Sequence, residues 1–400
     1  MKLSSGVGLT GLGVFGVVLA VSGISATGGL GCSSSSSGSS CGGGGGGGDT
    51  CTSSGVTCVT APAAPSGGTP TSASHNYAVH TLYLGDTDRT GVASPNAWEA
   101  YGYNLDNLVT AKTSTDVCTL AAGASKITQV DGNGGIDNSF GENILPIVIT
   151  TAGSDAASKI NTAIDEGHFT IMTYITGFDD SAGNSTSAAG LKGVLLAGGN
   201  YADLHDGGAP SWDTTTHWPI LPTLINGCTP TGGCPAGTDP VANAQITFPS
   251  AYQAGGTFVN GSPGDLNLTL SIGGESLTIS VHSALITFQP KAPGEVTGGV
   301  IAGTLITTEL VSSLQSVAGS ISTSLCSGSA FQSIAQQIEQ ASDIIIDPNS
   351  HAVSNSAGTA CNGISIGLGF DATEIAAPTA ADIEAVQPAA ANPCSDAGAD

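Results

Sequence analysis

Apolar and polar residues alternate along short segments of this chain, and a period of two residues is typical of β-strands. The clearest example is His168–Phe178, in which Phe169, Ile171, Thr173 and Ile175 fall on one side. The same pattern predicts further strands at Leu191–Ala197, Gly256–Asn260, Leu266–Ile272, Leu277–His282, Ala284–Gln289, Glu295–Ile306 and Gly363–Phe370. The sequence GGES at residues 273–276 predicts a β-hairpin between the strands on its two sides.

Three segments instead repeat their apolar residues every three to four positions, which is the period of an α-helix. They are Ser154–Gly167, Thr308–Val317 and Ser329–Ala341. Ser154 stands where a helix N-cap belongs, and Gly167 stands where a helix ends. Because strands are in the majority, the chain is predicted to be mainly β. Its body is expected to be an antiparallel, β-sandwich-like fold with a few short helices, preceded by a disordered tether.

The first 31 residues have the pattern of an export signal. Lys2 is followed by an uncharged apolar run from about Val7 to Ala26, and the sequence Gly29-Leu30-Gly31-Cys32 follows. That sequence resembles the lipobox of bacterial lipoproteins, in which the cysteine is lipidated and becomes the new N-terminus. We therefore predict a signal peptide at residues 1–31, lipidation of Cys32 and attachment to a membrane through this lipid anchor only. The alternative is cleavage after Ala26, which would release a secreted protein.

The segment that follows Cys32 is rich in Ser and Gly and cannot bury a core, so residues 32–74 are predicted to be a disordered linker. Ser33 is typical of outer-membrane lipoproteins, so the folded body is expected to face the periplasm or the cell surface. The remaining segments are predicted to be a β-rich domain at 75–226, a cysteine-stapled connecting loop at 227–243, a β-rich domain with two helices at 244–375 and a flexible acidic tail at 376–400. Whether the two β-rich segments form one domain or two stays open at this stage.

The charge of the chain excludes several classes of partner. Lys and Arg together number 7 against 31 Asp and Glu, which gives a formal net charge of −24. A surface this acidic repels phosphate groups, so nucleic-acid binding is excluded and docking on anionic lipid headgroups is disfavoured. Metal cations, a carbohydrate or an envelope protein are the expected ligands.

The ten cysteines indicate disulfide bonds. No CxxC pair occurs, which excludes zinc-finger and thioredoxin-type motifs, and cysteines behind an export signal meet an oxidising compartment. Cys228 and Cys234 are close enough in sequence to form a local disulfide. Cys326 and Cys361 are predicted to join the helices to the last strand of the sheet.

Residues Val130–Gly141, VDGNGGIDNSFG, alternate acidic and amide side chains with glycines, as chains do where they present oxygen atoms to a hard cation. No register fits an EF-hand, because apolar residues, a glycine or a glutamine occupy positions that require ligands. An irregular calcium site remains predicted, with the ligands Asp131, Asn133, Asp137, Asn138 and Glu142. The alternative is a plain turn rich in Asx and Gly residues. A second cluster, Asp86, Asp88 and Asp106, has the same two interpretations.

Sequence patterns for catalysis are weak in this chain. Gly363–Gly367 matches GxSxG, but that nucleophile motif needs a histidine after its serine, and no histidine follows His351. A polysaccharide hydrolase needs only two well-placed carboxylates, which cannot be singled out among 31 acidic residues. Trp212 and Trp218 would bind carbohydrate by stacking on sugar rings if they are exposed, and would belong to the core if they are buried.

Several features together resemble the uncharacterised cell-surface lipoproteins of myxobacteria. They are the signal, the lipobox-like sequence at Cys32, the Ser/Gly linker and the phrases AYGYNLD at Ala100–Asp106 and DGNGGIDNSFGENILP at Asp131–Pro146. The likeness spans most of the chain and implies residence at the cell surface, with no functional residues carried across. We therefore expect a non-catalytic, exported surface lipoprotein of the binding or adhesion type, with structural calcium. The alternatives are a secreted hydrolase acting on polysaccharide through paired carboxylates and a purely structural envelope protein.

Overall fold

The computed structural model describes residues 49–50, 58–147, 156–205, 208–229, 233–272, 275–321 and 329–384. The strands in these ranges are β1 Asp49–Thr50, β2 Ser74–Tyr83, β3 Leu108–Val109, β4 Thr170–Thr176, β5 Ala188–Gly198, β6 Ile246–Ala254, β7 Thr257–Val259, β8 Gly264–Ile272, β9 Glu275–Ala292, β10 Glu295–Ile306, β11 Ile345–Ile346, β12 Val353–Ser354 and β13 Gly363–Glu374. The α-helices are α1 Ala156–Asp165, α2 Thr307–Ile321 and α3 Ser329–Gln340. The described residues also contain short 3-10 helices and one π-helical turn, Phe140–Ile144, which α-helical residues follow at 145–147.

Eight of these strands form one closed antiparallel barrel. The order around the barrel is β10, β13, β2, β4, β5, β6, β7 and β9, and β9 pairs back onto β10. The closing contact is direct, because Ile286 of β9 lies opposite Ile301 of β10. On the other side of β10, Ile301 also lies opposite Leu368 of β13. The strands on both sides of the 227–243 loop therefore belong to one sheet.

The mainly β, antiparallel fold with a few helices is confirmed, but the expected sandwich is wrong. A sandwich consists of two separate sheets that face each other, whereas here one sheet closes on itself because β9 hydrogen-bonds back to β10. The residue alternation along the strands is the same in both architectures. Only the pairing of β9 with β10 distinguishes them.

Both faces of several barrel strands are buried, and the sequence alternation decides which residue points where. On β2, Tyr77 and Val79 join the cluster inside the barrel, while Ala78 between them joins a second cluster outside it. Inside the barrel, Phe258 and Phe288 stack with ring centroids 4.7 Å apart. Outside, the connection from β5 to β6 covers β2, β4 and β5 with Trp218, Ile220, Ile225 and Ala244. An eight-stranded barrel of this size is filled by its own side chains.

The predicted elements are largely confirmed. The GGES sequence joins β8 and β9 as an antiparallel hairpin, with Ile272 opposite Glu275. β10 carries the register shifts expected of a Gly-rich strand. The strands predicted at Leu277–His282 and Ala284–Gln289 form one continuous strand, β9. Ser283, which lies between them, has a positive φ of 51°, but the strand continues past it. The barrel strands β2 and β6 were not predicted, and in β6 Pro249 interrupts the alternation.

Two disulfides have both of their cysteines described. Cys228 bonds Cys234 across six positions, as predicted. Cys118 bonds Cys361 across 243 positions, so the predicted pairing of Cys361 with Cys326 is wrong. Cys326 itself lies outside the described residues. These bonds are compatible with an exported protein.

The segments on either side of the barrel strands also contact the barrel. Val59 and Pro62 belong to the predicted linker, and their backbone groups bond Gly134 and the Tyr252 hydroxyl. In the predicted tail, Ile383 forms a parallel bridge with Ile220. Within the described residues, none of the helices has the length and apolar character to cross a membrane.

Candidate functional site

Asp131 and Asp137, two of the predicted calcium ligands, are brought together by the loop between β3 and the π-helical turn. Their carboxyl groups lie close enough to affect each other's pKa. Two adjacent glycines with positive φ within the turn (Gly134, 64°, and Gly135, 77°) let the loop fold back on itself. Gly132 donates its amide to the Ile136 carbonyl across this turn at 2.8 Å. The two carboxylates therefore face each other from the two arms of one tight loop.

Backbone amides hold both carboxylates in place. The Thr110 amide donates to Asp131 Oδ2 at 2.6 Å, and the Leu105 amide donates to Asp137 Oδ2 at 2.6 Å. Both donors belong to the segment around β3, which lies beside the loop. Asp137 is only 3 % exposed. The pair is thus fixed by the protein interior and is not a mobile surface cluster.

Two more carboxylates lie within electrostatic range of this pair, namely Asp106 and Asp343. Asp106 accepts from the Leu108 amide at 2.8 Å and from Asn355 Nδ2 at 2.8 Å. Asp343, which follows α3, accepts from the Ser365 amide at 2.9 Å and from the Ser365 hydroxyl at 2.5 Å. We call Asp106, Asp131, Asp137 and Asp343 the acid cluster.

When its carboxyl groups are all ionised, the acid cluster is electrostatically unfavourable without a positive charge. Burial raises the pKa of all four carboxyl groups, and the charges of their neighbours raise those values further. The pKa of Asp131 rises to about 8 and that of Asp343 to about 7. Two cations of the described residues form their ion pairs outside the cluster: Arg89 pairs with Asp371, and Lys291 pairs with Glu295.

The other three predicted calcium ligands do not join the pair. Asn133 is exposed, and its backbone amide donates to the Glu99 carbonyl. Glu142 is half-buried and accepts from Asn143, with its pKa raised to about 7 by burial and by the nearby charge of Glu99. The structure thus brings together two of the five residues.

Asn138 has a structural role that its position in the loop did not suggest. Its amide nitrogen contacts the carbonyls of Trp98, Tyr101 and Gly367 at 3.0 to 3.2 Å. Its amide oxygen accepts from the Gly141 and Gly367 amides at 3.0 and 2.9 Å. These five contacts leave the side chain no free position for a metal. Asn138 instead fastens the loop to β13.

The second predicted acidic cluster is divided in the structure. Asp106 belongs to the acid cluster, whereas Asp88 is exposed and accepts from the Thr90 and Val92 amides of its own turn. Asp86 is half-buried, and burial raises its pKa. Sequence reasoning therefore placed Asp106 with the wrong neighbours. Asp343 was missed entirely, since no local pattern links it to a loop more than 200 positions earlier.

The predicted carbohydrate platform is partly built into the core. Trp218 is only 2 % exposed and donates its indole N–H to the Gly199 carbonyl at 2.9 Å. Trp212 is partly buried against it, with ring centroids 5.1 Å apart. The buried Trp218 cannot stack on a sugar. Cys32, the predicted lipidation site, lies outside the described residues.

The GxSxG serine is an interior strand residue. Ser365 lies on β13, is fully buried and gives its hydroxyl proton to Asp343. Its hydroxyl oxygen accepts from the Ser139 amide at 2.8 Å. These contacts connect β13 to the loop and to the residues after α3, and they help to hold Asp343 in place.

Comparison of the chain with protein-family models, with curated proteins and with solved structures found no match.

Proposed function

We propose that this chain is an exported, non-catalytic surface protein whose barrel is stabilised by a calcium ion at the acid cluster. The observation that carries the proposal is a group of two buried carboxylates, Asp137 and Asp343, and two half-buried ones, Asp106 and Asp131. Apart from the contact between Asp131 and Asp137, their hydrogen-bond partners are backbone amides, Asn355 and Ser365, all of them neutral. Burying an unpaired carboxylate is costly, and a bound cation removes much of that cost.

The donor set favours calcium over a transition metal. All the side-chain donors of the acid cluster are oxygen atoms, and calcium takes six to eight oxygen ligands from carboxylates, carbonyls and water. Thr110 offers another oxygen, because it is buried beside Asp131 and its hydroxyl has no hydrogen-bond partner. The Asp131–Asp137 pair would be the centre of such a site, with Asp106 and Asp343 adding negative charge around it.

A melting experiment on the full chain tests the calcium site. In 10 mM calcium chloride, a site with a dissociation constant of about 1 mM adds about 1.4 kcal/mol. For a folded body of roughly 300 residues, that gain raises the melting temperature by about 2 °C relative to the same protein in chelator. The Asp131→Asn variant keeps the shape of the side chain and removes its charge, so we expect it to fold and to lose this response.

Asp88→Asn is the matched control, because Asp88 is exposed and bonds only its own turn. This variant should respond to calcium as the wild type does. Equal melting temperatures of the wild type in calcium and in chelator would contradict the proposal. A full response in Asp131→Asn would place the ion elsewhere.

The location of the protein is proposed from the sequence and is compatible with the disulfides. We infer an outer-membrane lipoprotein held by a lipid on Cys32 and facing the periplasm or the cell surface, with a carbohydrate or an envelope protein as its ligand. Intact-mass measurement of the mature N-terminus checks this, since a diacylated or triacylated Cys32 is expected. An unmodified N-terminus at Thr27 would indicate the secreted alternative.

A further inference from the structure

Asp265, His282 and His351 come together from three different parts of the fold. Asp265 lies at the start of β8, His282 lies in the middle of β9, and His351 lies in the turn between β11 and β12. Each offers one metal-ligand atom, and the three atoms lie within 4.8 Å of one another. The two imidazole rings have centroids 4.1 Å apart. Nothing in the local sequence predicted this grouping.

The distances around Asp265 resemble those between ligands of one ion. His282 Nδ1 lies 3.3 Å from Asp265 Oδ1, yet it is buried without a hydrogen-bond partner because the geometry of a hydrogen bond is not met. Two ligands of one tetrahedral ion with bonds of about 2.0 to 2.1 Å lie about 3.3 Å apart. His351 Nδ1 lies 2.9 and 3.1 Å from the two oxygens of the same carboxylate. An unpartnered ring nitrogen in a side chain only 3 % exposed thus points at this carboxylate.

Glu309 fixes the orientation of the His282 ring. It lies in the first turn of α2, and its carboxylate is 2.9 Å from His282 Nε2. A metal-bound histidine commonly donates its other ring N–H to a carboxylate, which fixes the tautomer and the ring orientation. With Nε2–H directed at Glu309, the Nδ1 lone pair of His282 is directed toward Asp265 and His351.

The backbone at this place adopts an uncommon conformation at two positions. Ser283 and His351 have φ values of 51° and 54°, in the left-handed region that residues other than glycine rarely occupy. The two are linked, since the Ser283 hydroxyl donates to the His351 carbonyl at 2.6 Å. Such strain persists where surrounding contacts over-determine it, and it concentrates at ligand-binding sites. Here the two positions are His351 itself and the residue next to His282.

We propose that Asp265, His282 and His351 form a binding site for a zinc-class divalent metal ion, with Glu309 positioning His282. Two imidazole nitrogens and one carboxylate are donors that suit zinc and the neighbouring transition metals. The side chains of Asp265 and His351 are about one-fifth exposed. Three protein ligands with solvent access leave a fourth coordination position for water or for a group of a bound ligand.

The site is independent of the acid cluster in both residues and chemistry. It has nitrogen donors, which calcium does not favour, and it shares no residue with the proposed calcium site. Loss of the calcium response would therefore leave this inference intact.

Titration of the metal-free full chain with Co²⁺ tests the proposal, because four-coordinate Co²⁺ bound to nitrogen has a characteristic visible spectrum that Zn²⁺ abolishes by displacement. We expect the wild type to give this spectrum in the presence of excess Ca²⁺. His351→Asn removes one ligand and suits the left-handed backbone, since Asn tolerates positive φ. This variant should bind Co²⁺ at least about tenfold more weakly. Glu309→Gln should weaken binding by about 10- to 100-fold.

His168→Gln is the matched control. His168 also lies beside a carboxylate, Glu166, at 3.3 Å, but it follows α1 and is not part of the proposed site. The affinity of the His168→Gln variant for Co²⁺ should equal that of the wild type. Melting curves verify that each variant folds. A second group of three donors, His75, Asp180 and Glu374, also has its ligand atoms within 4.8 Å. An unchanged spectrum in His351→Asn would place the ion at ligands other than the proposed ones, with the His75 group as the first candidate among the described residues, and would overturn the proposal. The absence of a four-coordinate spectrum in the wild type would overturn it as well.

Discussion

Single side chains that bond backbone groups from several segments hold this fold together, and Asn138 is the clearest example. Its five buried contacts join the loop at 130–141 to β13 and to the turn before β3. We predict that Asn138→Ala lowers the free energy of unfolding by about 3 kcal/mol or more, because it leaves several backbone groups unpaired in the interior. Urea unfolding measures the loss.

Asn133, which lies in the same loop, is the control position for that experiment. Its side chain is exposed, so Asn133→Ala should change the free energy of unfolding by no more than about 0.5 kcal/mol. Equal losses in the two variants would show that Asn138 is not the residue that fastens the loop.

Glu384 gives the stability a pH dependence. Burial, followed by the charge of Asp203, raises its pKa from 4.5 to about 7. Between these two values the unfolded chain has lost the proton that the folded chain retains. The stabilisation that the protonated Glu384 side chain gives to the folded state is therefore fully present below pH 4.5 and is lost as the pH rises through 7.

Glu384→Gln should remove this loss, so the variant should gain about 1 kcal/mol on the wild type between pH 4.5 and pH 8, after allowance for partial exposure. Free energies of unfolding at the two pH values measure it. Glu339→Gln, at an exposed position of α3, is the control. A pH profile of Glu384→Gln parallel to that of the wild type would contradict the assignment.

At the scale of elements, the two disulfides differ in how much of the chain they constrain. The Cys118–Cys361 bond joins the segment after β3 to the residues before β13 across 243 positions, whereas Cys228–Cys234 spans six. In the chain-entropy account, a longer closed loop restricts the unfolded state more. Replacing both cysteines of the long bond by Ala should therefore cost about 5 kcal/mol, against about 2 kcal/mol for the short bond.

Chemical unfolding of the two double variants checks this difference. Equal losses, or a larger loss for the Cys228 and Cys234 pair, would mean that local packing and not loop closure sets the contribution of these bonds.

The elements themselves were largely predictable, because a strand or a helix depends on the spacing of neighbouring apolar residues. β4, β5, β10 and the three helices follow directly from that spacing. The continuity of β9 did not follow from local spacing. Ser283 has a positive φ within this strand and is bonded to His351 on a turn far away in the sequence. Position in the chain likewise failed for Cys361, whose partner depends on which loop packs beside β13.

At the scale of the whole molecule, closure and site assembly were beyond local patterns. The alternation of β9 and β10 is the same in a sandwich and in a barrel, and only their pairing decides between them. The acid cluster combines a loop that was recognised, around Asp131 and Asp137, with Asp343 from the other end of the fold. The three donors Asp265, His282 and His351 are likewise united only by tertiary structure.

The position of β13 between β10 and β2 has a consequence for the order in which this protein can mature. β2 is the earliest barrel strand to be synthesised, and one of its two neighbours is the latest. Until β13 (Gly363–Glu374) has been synthesised, one edge of β2 and one edge of β10 have unpaired backbone amides and carbonyls that can hydrogen-bond to another chain. A newly made copy is therefore vulnerable to self-association for nearly the whole of its production, and the arrival of this one strand ends that exposure on both edges at once.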